Sequence, residues 1–173
     1  MSTLRKKFGQ IYDQYVDKIY RFVFLKVNSQ EVAEDLCSET FLRGWEAFKK
    51  AHNPNPAKPK IDNIQAFLYQ IARNLVIDHY RQKSQFQVVS IESTPIIDPR
   101  ENLEKRSMVN SDLDTVKAAL ADLKGDYQEL VIWHYIDDLS ISEMAKIMNK
   151  SEGAIRVMLH RALKTLRKTI NSA

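Results

Sequence analysis

Apolar positions along the chain recur at intervals of three and four, the spacing that lines one face of an α-helix. Over residues 4–27 they fall at Phe8, Ile11, Tyr12, Tyr15, Ile19, Tyr20, Phe22, Val23 and Leu25, which predicts one long helix or two shorter ones with a wide apolar face. Asn28-Ser29 interrupts the pattern and can cap the next helix, whose first turn carries Glu31. Over residues 33–48, Ala33, Leu36, Cys37, Thr40, Phe41, Gly44 and Phe48 share a face turned to a core. The opposite face carries Asp35, Glu39, Leu42 and Glu46, flanked by Ser38 and Trp45. A Leu and a Trp among carboxylates read in two ways: as stray apolar groups on a solvated face, or as a surface for a protein partner.

Residues 52–60, with three prolines and two asparagines, cannot continue that helix. Asp62 and Gln65 form a capping-box variant that opens a helix over 64–82. Ile64, Phe67, Leu68, Ile71 and Leu75 make its core stripe. A second stripe holds Tyr69, Arg73, Val76 and Tyr80, flanked by Asn74, Arg81 and Lys83. Rings interleaved with cations suit single-stranded nucleic acid, since rings stack on bases and cations follow phosphates. An amphipathic helix that uses its tyrosines only for packing is the alternative.

From Ser84 to about Asp112 the period is lost, prolines and small polar residues gather, and a linker is predicted; strand-like alternation occurs only at 87–91. Beyond it, Leu113, Val116, Leu120 and Leu123 mark a helix ending near Gly125, and 127–135 gives another. Residues 139–168 then form a helix-turn-helix pattern. Ser140 or Ser142 caps a short helix bearing Met144, Ala145 and Met148. Asn149 sits where the turn needs positive φ, Ser151 caps the second helix, and Ile155, Leu159, Ala162 and Leu166 point inward. The outer face carries Ser151, Glu152, Gly153, Arg156, Val157, His160, Arg161 and Lys164. Arg156 suits a guanine edge and Val157 a thymine methyl, while Arg161, Lys164 and Lys168 suit phosphates.

Composition sharpens this. In 173 residues there are only four glycines and five prolines, which favours an all-α chain of two small helical domains with a flexible linker: 1–84, linker 85–112, and 113–173. Residues 112–143 hold eight acids against two bases, and 144–173 seven bases against one acid. The balance therefore swings from −6 to +6, which points to a polyanion partner for the last segment rather than a merely solvated basic helix. The single Cys37 lies on a core face, so a buried thiol is expected rather than a nucleophile. The four histidines, His52, His79, His134 and His160, show no ligand spacing with each other or with Cys37. No metal site, cofactor or catalytic set is expected, nor any insertion into a membrane, and a cytoplasmic location follows.

These motifs resemble a family. The stretch AEDLCSETFLRGW resembles the segment by which extracytoplasmic-function (ECF) sigma factors dock on bacterial core RNA polymerase. FLYQIARNLVIDHYR is similar to the segment that melts and binds the promoter's −10 element, and SEGAIRVMLHRA to the −35 reader. Ser38 stands where the family usually has Gln, Phe67 where Trp is usual, and Gln70 where a base is usual. The resemblance implies docking on core polymerase through Asp35, Ser38, Glu39, Leu42 and Trp45. It implies −10 contacts from Asn55, Lys58, Lys60, Tyr69, Arg73, Asn74, Tyr80 and Arg81, with the Pro-rich loop capturing an unstacked base. It implies −35 contacts from the outer face of the second helix of the helix-turn-helix. Promoter DNA and the polymerase are the implied partners, with an anti-sigma factor a further one in many relatives. A stand-alone helix-turn-helix regulator, whose first domain senses or dimerises, is the competing reading; an enzyme acting on nucleic acid lacks a catalytic set.

Overall fold

The computed structural model describes residues 2–53, 55, 57, 60–89 and 117–171. Every regular element among the described residues is helical: α1 (Ser2–Val27), α2 (Gln30–Ala51), α3 (Ile64–Val89), α4 (Gly125–Val131), a π-turn (Ile132–Ile136), α5 (Ile141–Met148) and α6 (Glu152–Asn171). Residues 117–121 are also helical. Contacts divide the chain into two compact units, Met1–Gln82 with Ala145–Asn149, and Lys83–Met144 with Lys150–Ala173.

In the first unit α1 is one helix, and Asn28 at φ 56° turns the chain out of it. Ser29 caps α2, its Oγ accepting from Val32 N–H at 3.3 Å. The expected inner face of α2 is inside: Ala33, Cys37, Thr40, Phe41, Gly44 and Phe48 are buried, while Leu36 is half-buried. Thr40 is fully buried because its hydroxyl donates to Leu36 O at 2.7 Å. Gly44 is required by packing: a Cβ there would lie 2.8 Å from Leu68 Cδ2, so the missing side chain lets α2 and α3 close up. Burial pushes the Cys37 thiol up to about 11, beside Asp17, so it stays protonated and unreactive at neutral pH.

The start of α3 differs from expectation. Asn63 is its cap, with Oδ1 accepting from Ala66 N–H at 3.0 Å, while Asp62 lies exposed before it. The end of α3 differs too. The helix continues to Val89, into the stretch read as the start of the linker, so 87–89 are helical rather than strand-like.

In the second unit Leu120, Leu123, Leu130, Val131, Ile132, Trp133, Leu139, Met144, Ile155, Leu159 and Ala162 are buried, and α4 packs on α6. The helix expected over 127–135 widens into a π-turn at Ile132, closed by Asp137 N–H to Ile132 O at 3.1 Å. Leu139 N–H then returns to Trp133 O at 2.8 Å, over a fully buried Trp133. Ser140 is the cap of α5, donating to Glu143 and accepting from its backbone N–H at 3.1 Å. Asn149 takes φ 56° in the turn, and Ser151 Oγ caps α6 through Ala154 N–H at 3.1 Å. Leu166 is only half-buried near the end of α6.

Candidate docking and nucleic-acid interfaces

The outer face of α2 presents one large apolar group. Leu42 is 56% exposed, and Asp35, Ser38 and Glu46 lie exposed along the same helix. The acids are not bare. Arg43 holds Glu39 at 2.8 Å and Lys49 holds Glu46 at 2.8 Å, which keeps the Glu46 carboxyl below its usual range. Trp45 is placed differently from Leu42. Its ring packs on Phe8 at 5.2 Å and Phe48 at 6.4 Å, with Lys49 Nζ 5.3 Å over it, and it is half-buried. It joins α2 to α1 as well as edging the face. Tyr12, which spacing put on the apolar face of α1, is 44% exposed and sets its ring edge-on to Phe41 at 4.9 Å. Only the crossing of two helices brings it there, and a single-helix pattern does not contain that information.

On α3 the stripe of rings and cations divides. Tyr69 is 0% exposed and meets Phe22 edge-on at 5.7 Å, and Val76 is buried as well. Tyr69 is therefore a core residue, which corrects its assignment to nucleic-acid contact: its steps along the helix fit both faces' margins, and the apolar surface of α1 claims the ring. Tyr80 keeps 43% of its surface exposed. Its hydroxyl donates to Lys26 O at the end of α1, and partial burial pushes its pKa up, making the phenol a weaker acid. A ring held at its hydroxyl and still 43% exposed can stack on a base. Asn74 and Arg81 are exposed, and Arg73 is half-buried. In the connection to α3, Asn55 and Lys60 are exposed, and Asn55 Oδ1 accepts from Ala57 N–H at 3.1 Å as an Asx turn. Lys58 lies outside the described residues.

On α6 the outer face is open as expected. Glu152, Gly153, Arg156, Val157, His160, Arg161 and Lys164 are all exposed; Ser151 is exposed too, with its hydroxyl engaged in the cap. Gly153 contrasts with Gly44, since a Cβ built there meets nothing within 4 Å and its φ is not positive. Nothing in the fold asks for a glycine. Gly153→Ala is expected to raise stability by about 0.5–1 kcal/mol, the helix preference for Ala over Gly, while weakening duplex binding if bases or phosphates approach that backbone. Thermal melting and a duplex-binding titration on the same variant read the two effects separately.

No group of three or more His, Cys, Asp or Glu among the described residues is placed to hold a metal ion. No helix among them is long and apolar enough to cross a membrane.

An all-helical protein with a helix-turn-helix and a basic outer face on its second helix is a duplex-binding class of architecture. Comparison with known proteins narrows the class. Residues 11–86 match the family "Sigma-70 region 2" and residues 113–166 match "Sigma-70, region 4". The ECF RNA polymerase sigma factor BldN of Streptomyces coelicolor is 37% identical over 164 residues, covering 92% of this chain and 58% of that protein. The ECF RNA polymerase sigma factor SigM of Bacillus subtilis is 26% identical over 168 residues, covering 94% of each. Among solved structures, the sigma factor RpoE of Bartonella quintana, in complex with the anti-sigma factor NepR, shares the fold. It has a TM-score of 0.73 and 23% identity, with 96% of this chain and 98% of that chain covered. The chain belongs to the sigma-70 family, in its ECF group of RNA polymerase sigma factors.

Proposed function

We propose that this sigma factor divides promoter recognition between its two units and joins them to core RNA polymerase through α2. The presence of a region 2 match and a region 4 match on one chain carries the reading. A stand-alone regulator would need no region 2. Leu42, with Asp35, Ser38, Glu39 and the edge of Trp45, forms the docking face: an apolar anchor within a charged rim is the anatomy of a protein interface. Tyr80, Asn74, Arg73 and Arg81, with Asn55 and Lys60, hold the opened −10 strand by stacking and phosphate contact. The outer face of α6 reads the −35 duplex, with Arg156 on a base edge and Arg161 and Lys164 on phosphates. The linker of the sequence reading, 85–112, tethers the two domains 1–84 and 113–173 and limits how far apart the two DNA elements lie.

Catalysis stays with the polymerase, and this chain contributes binding energy and strand separation in the cytoplasm. An anti-sigma factor is a further partner consistent with RpoE, solved with NepR. The test is specific binding to a promoter fragment by the full chain alone and with core polymerase. Specific, opened complexes only with the core are expected. Tight specific binding by the isolated chain would instead support the stand-alone regulator.

A further inference from the structure

On α6, Glu152 and Arg156 stand one turn apart, with Arg156 Nη2 3.6 Å from Glu152 Oε2. Their side chains are 50% and 63% exposed, so the pair adds little to stability in water. The cap of α6 is already supplied by Ser151. Glu152 is also the only acid in a segment whose balance is +6, on the face turned toward a polyanion. A carboxylate there repels phosphates unless something in the groove repays it.

We propose that Glu152 is a specificity determinant, accepting a hydrogen bond from the exocyclic amino group of cytosine in the base pair beside the guanine that Arg156 reads. The proposal rests on α6 being the duplex reader. An ionised carboxylate only accepts hydrogen bonds. In the major groove, donors are offered by cytosine N4 and adenine N6 alone. Adenine sets its N7 acceptor beside that amine, and thymine and guanine present acceptors, so cytosine fits best. The spacing agrees as well. A helical turn rises about 5.4 Å and neighbouring bases lie about 3.4 Å apart, so side chains one turn apart reach adjacent base pairs. The 3.6 Å between the charged tips lets each keep the other while meeting its own base. As water leaves the groove the pair strengthens, which fixes the guanidinium fork for the guanine edge. Glu152 thus selects one base directly and positions Arg156 for the next.

The test uses the full chain assembled with core polymerase and a promoter library randomised across the −35 element, with bound sequences counted for the unaltered chain, Glu152→Gln and Arg156→Ala. The unaltered chain is expected to select guanine next to a pair that presents cytosine to the same helix. Glu152→Gln should melt like the unaltered chain, lose cytosine preference roughly tenfold, and gain adenine, whose N6 and N7 suit an amide. Arg156→Ala should relax the neighbouring guanine. An unchanged base preference in Glu152→Gln, or a uniform loss on all sequences, overturns the proposal and leaves Glu152 as a first-turn charge. If neither variant alters the −35 preference, the reading of α6 fails and the proposal falls with it.

Discussion

Leu42→Asp is expected to abolish association with core RNA polymerase while leaving the chain folded. The side chain is 56% exposed, so its exchange costs the fold little, within about 0.5 kcal/mol as for other surface changes. In a docked complex it would place an unpaired carboxylate where an apolar anchor belongs, a loss of at least about 2 kcal/mol for a central contact. Association measured by labelled-chain anisotropy against core polymerase, with thermal melting in parallel, separates the two quantities. Trp45 is a poorer probe. Its contacts with Phe8 and Phe48 join two helices, so Trp45→Ala would lower stability and confuse the result. Unchanged association of Leu42→Asp would remove α2 from the docking account.

The two tyrosines of α3 should respond in opposite ways. Tyr69→Ala removes a fully buried ring from its contact with Phe22 and is expected to cost about 3–5 kcal/mol of stability, the usual range for a large aromatic in a core. Against a total of about 5–15 kcal/mol, that approaches unfolding. Tyr80→Ala should leave the core intact and cost about 1–3 kcal/mol in affinity for a single-stranded −10 oligonucleotide, measured with the full chain bound to core polymerase. Tyr80→Phe keeps the ring but loses the tie to Lys26, and should fall between. Equal stability losses for Tyr69→Ala and Tyr80→Ala, with strand binding unaffected by Tyr80→Ala, would return Tyr80 to the core.

Local rules carried much of this fold into the sequence. Ser29 and Ser151 cap helices where their spacing predicts, Ser140 takes the cap that the sequence left open between it and Ser142, and Asn149 supplies the positive φ of the turn. These depend on a few adjacent residues. The inner face of α2 was legible for the same reason, since its period is unbroken from Ala33 to Phe48. Where two helices compete for one side chain, the pattern was insufficient. Tyr69 and Tyr80 lie on one stripe, but α1 covers the first and leaves the second open. Tyr12 meets Phe41 only because α1 crosses α2 there. The cap of α3 fell to Asn63 rather than Asp62, one residue from the expected place, because either can open that turn. The π-turn at Ile132–Ile136 has no period of its own and leaves no mark in the sequence. The roles of the exposed surfaces came from motif resemblance, because exposure and charge alone leave several partners open.

The most direct measurement is permanganate reactivity of thymines in the −10 region of a duplex promoter, with core polymerase and the full chain together and each alone. Unpaired, reactive thymines should appear only with both present, and should disappear with Leu42→Asp. Reactivity with core polymerase alone, or opening that persists in Leu42→Asp, would contradict the claim that this chain brings strand separation to the polymerase through α2.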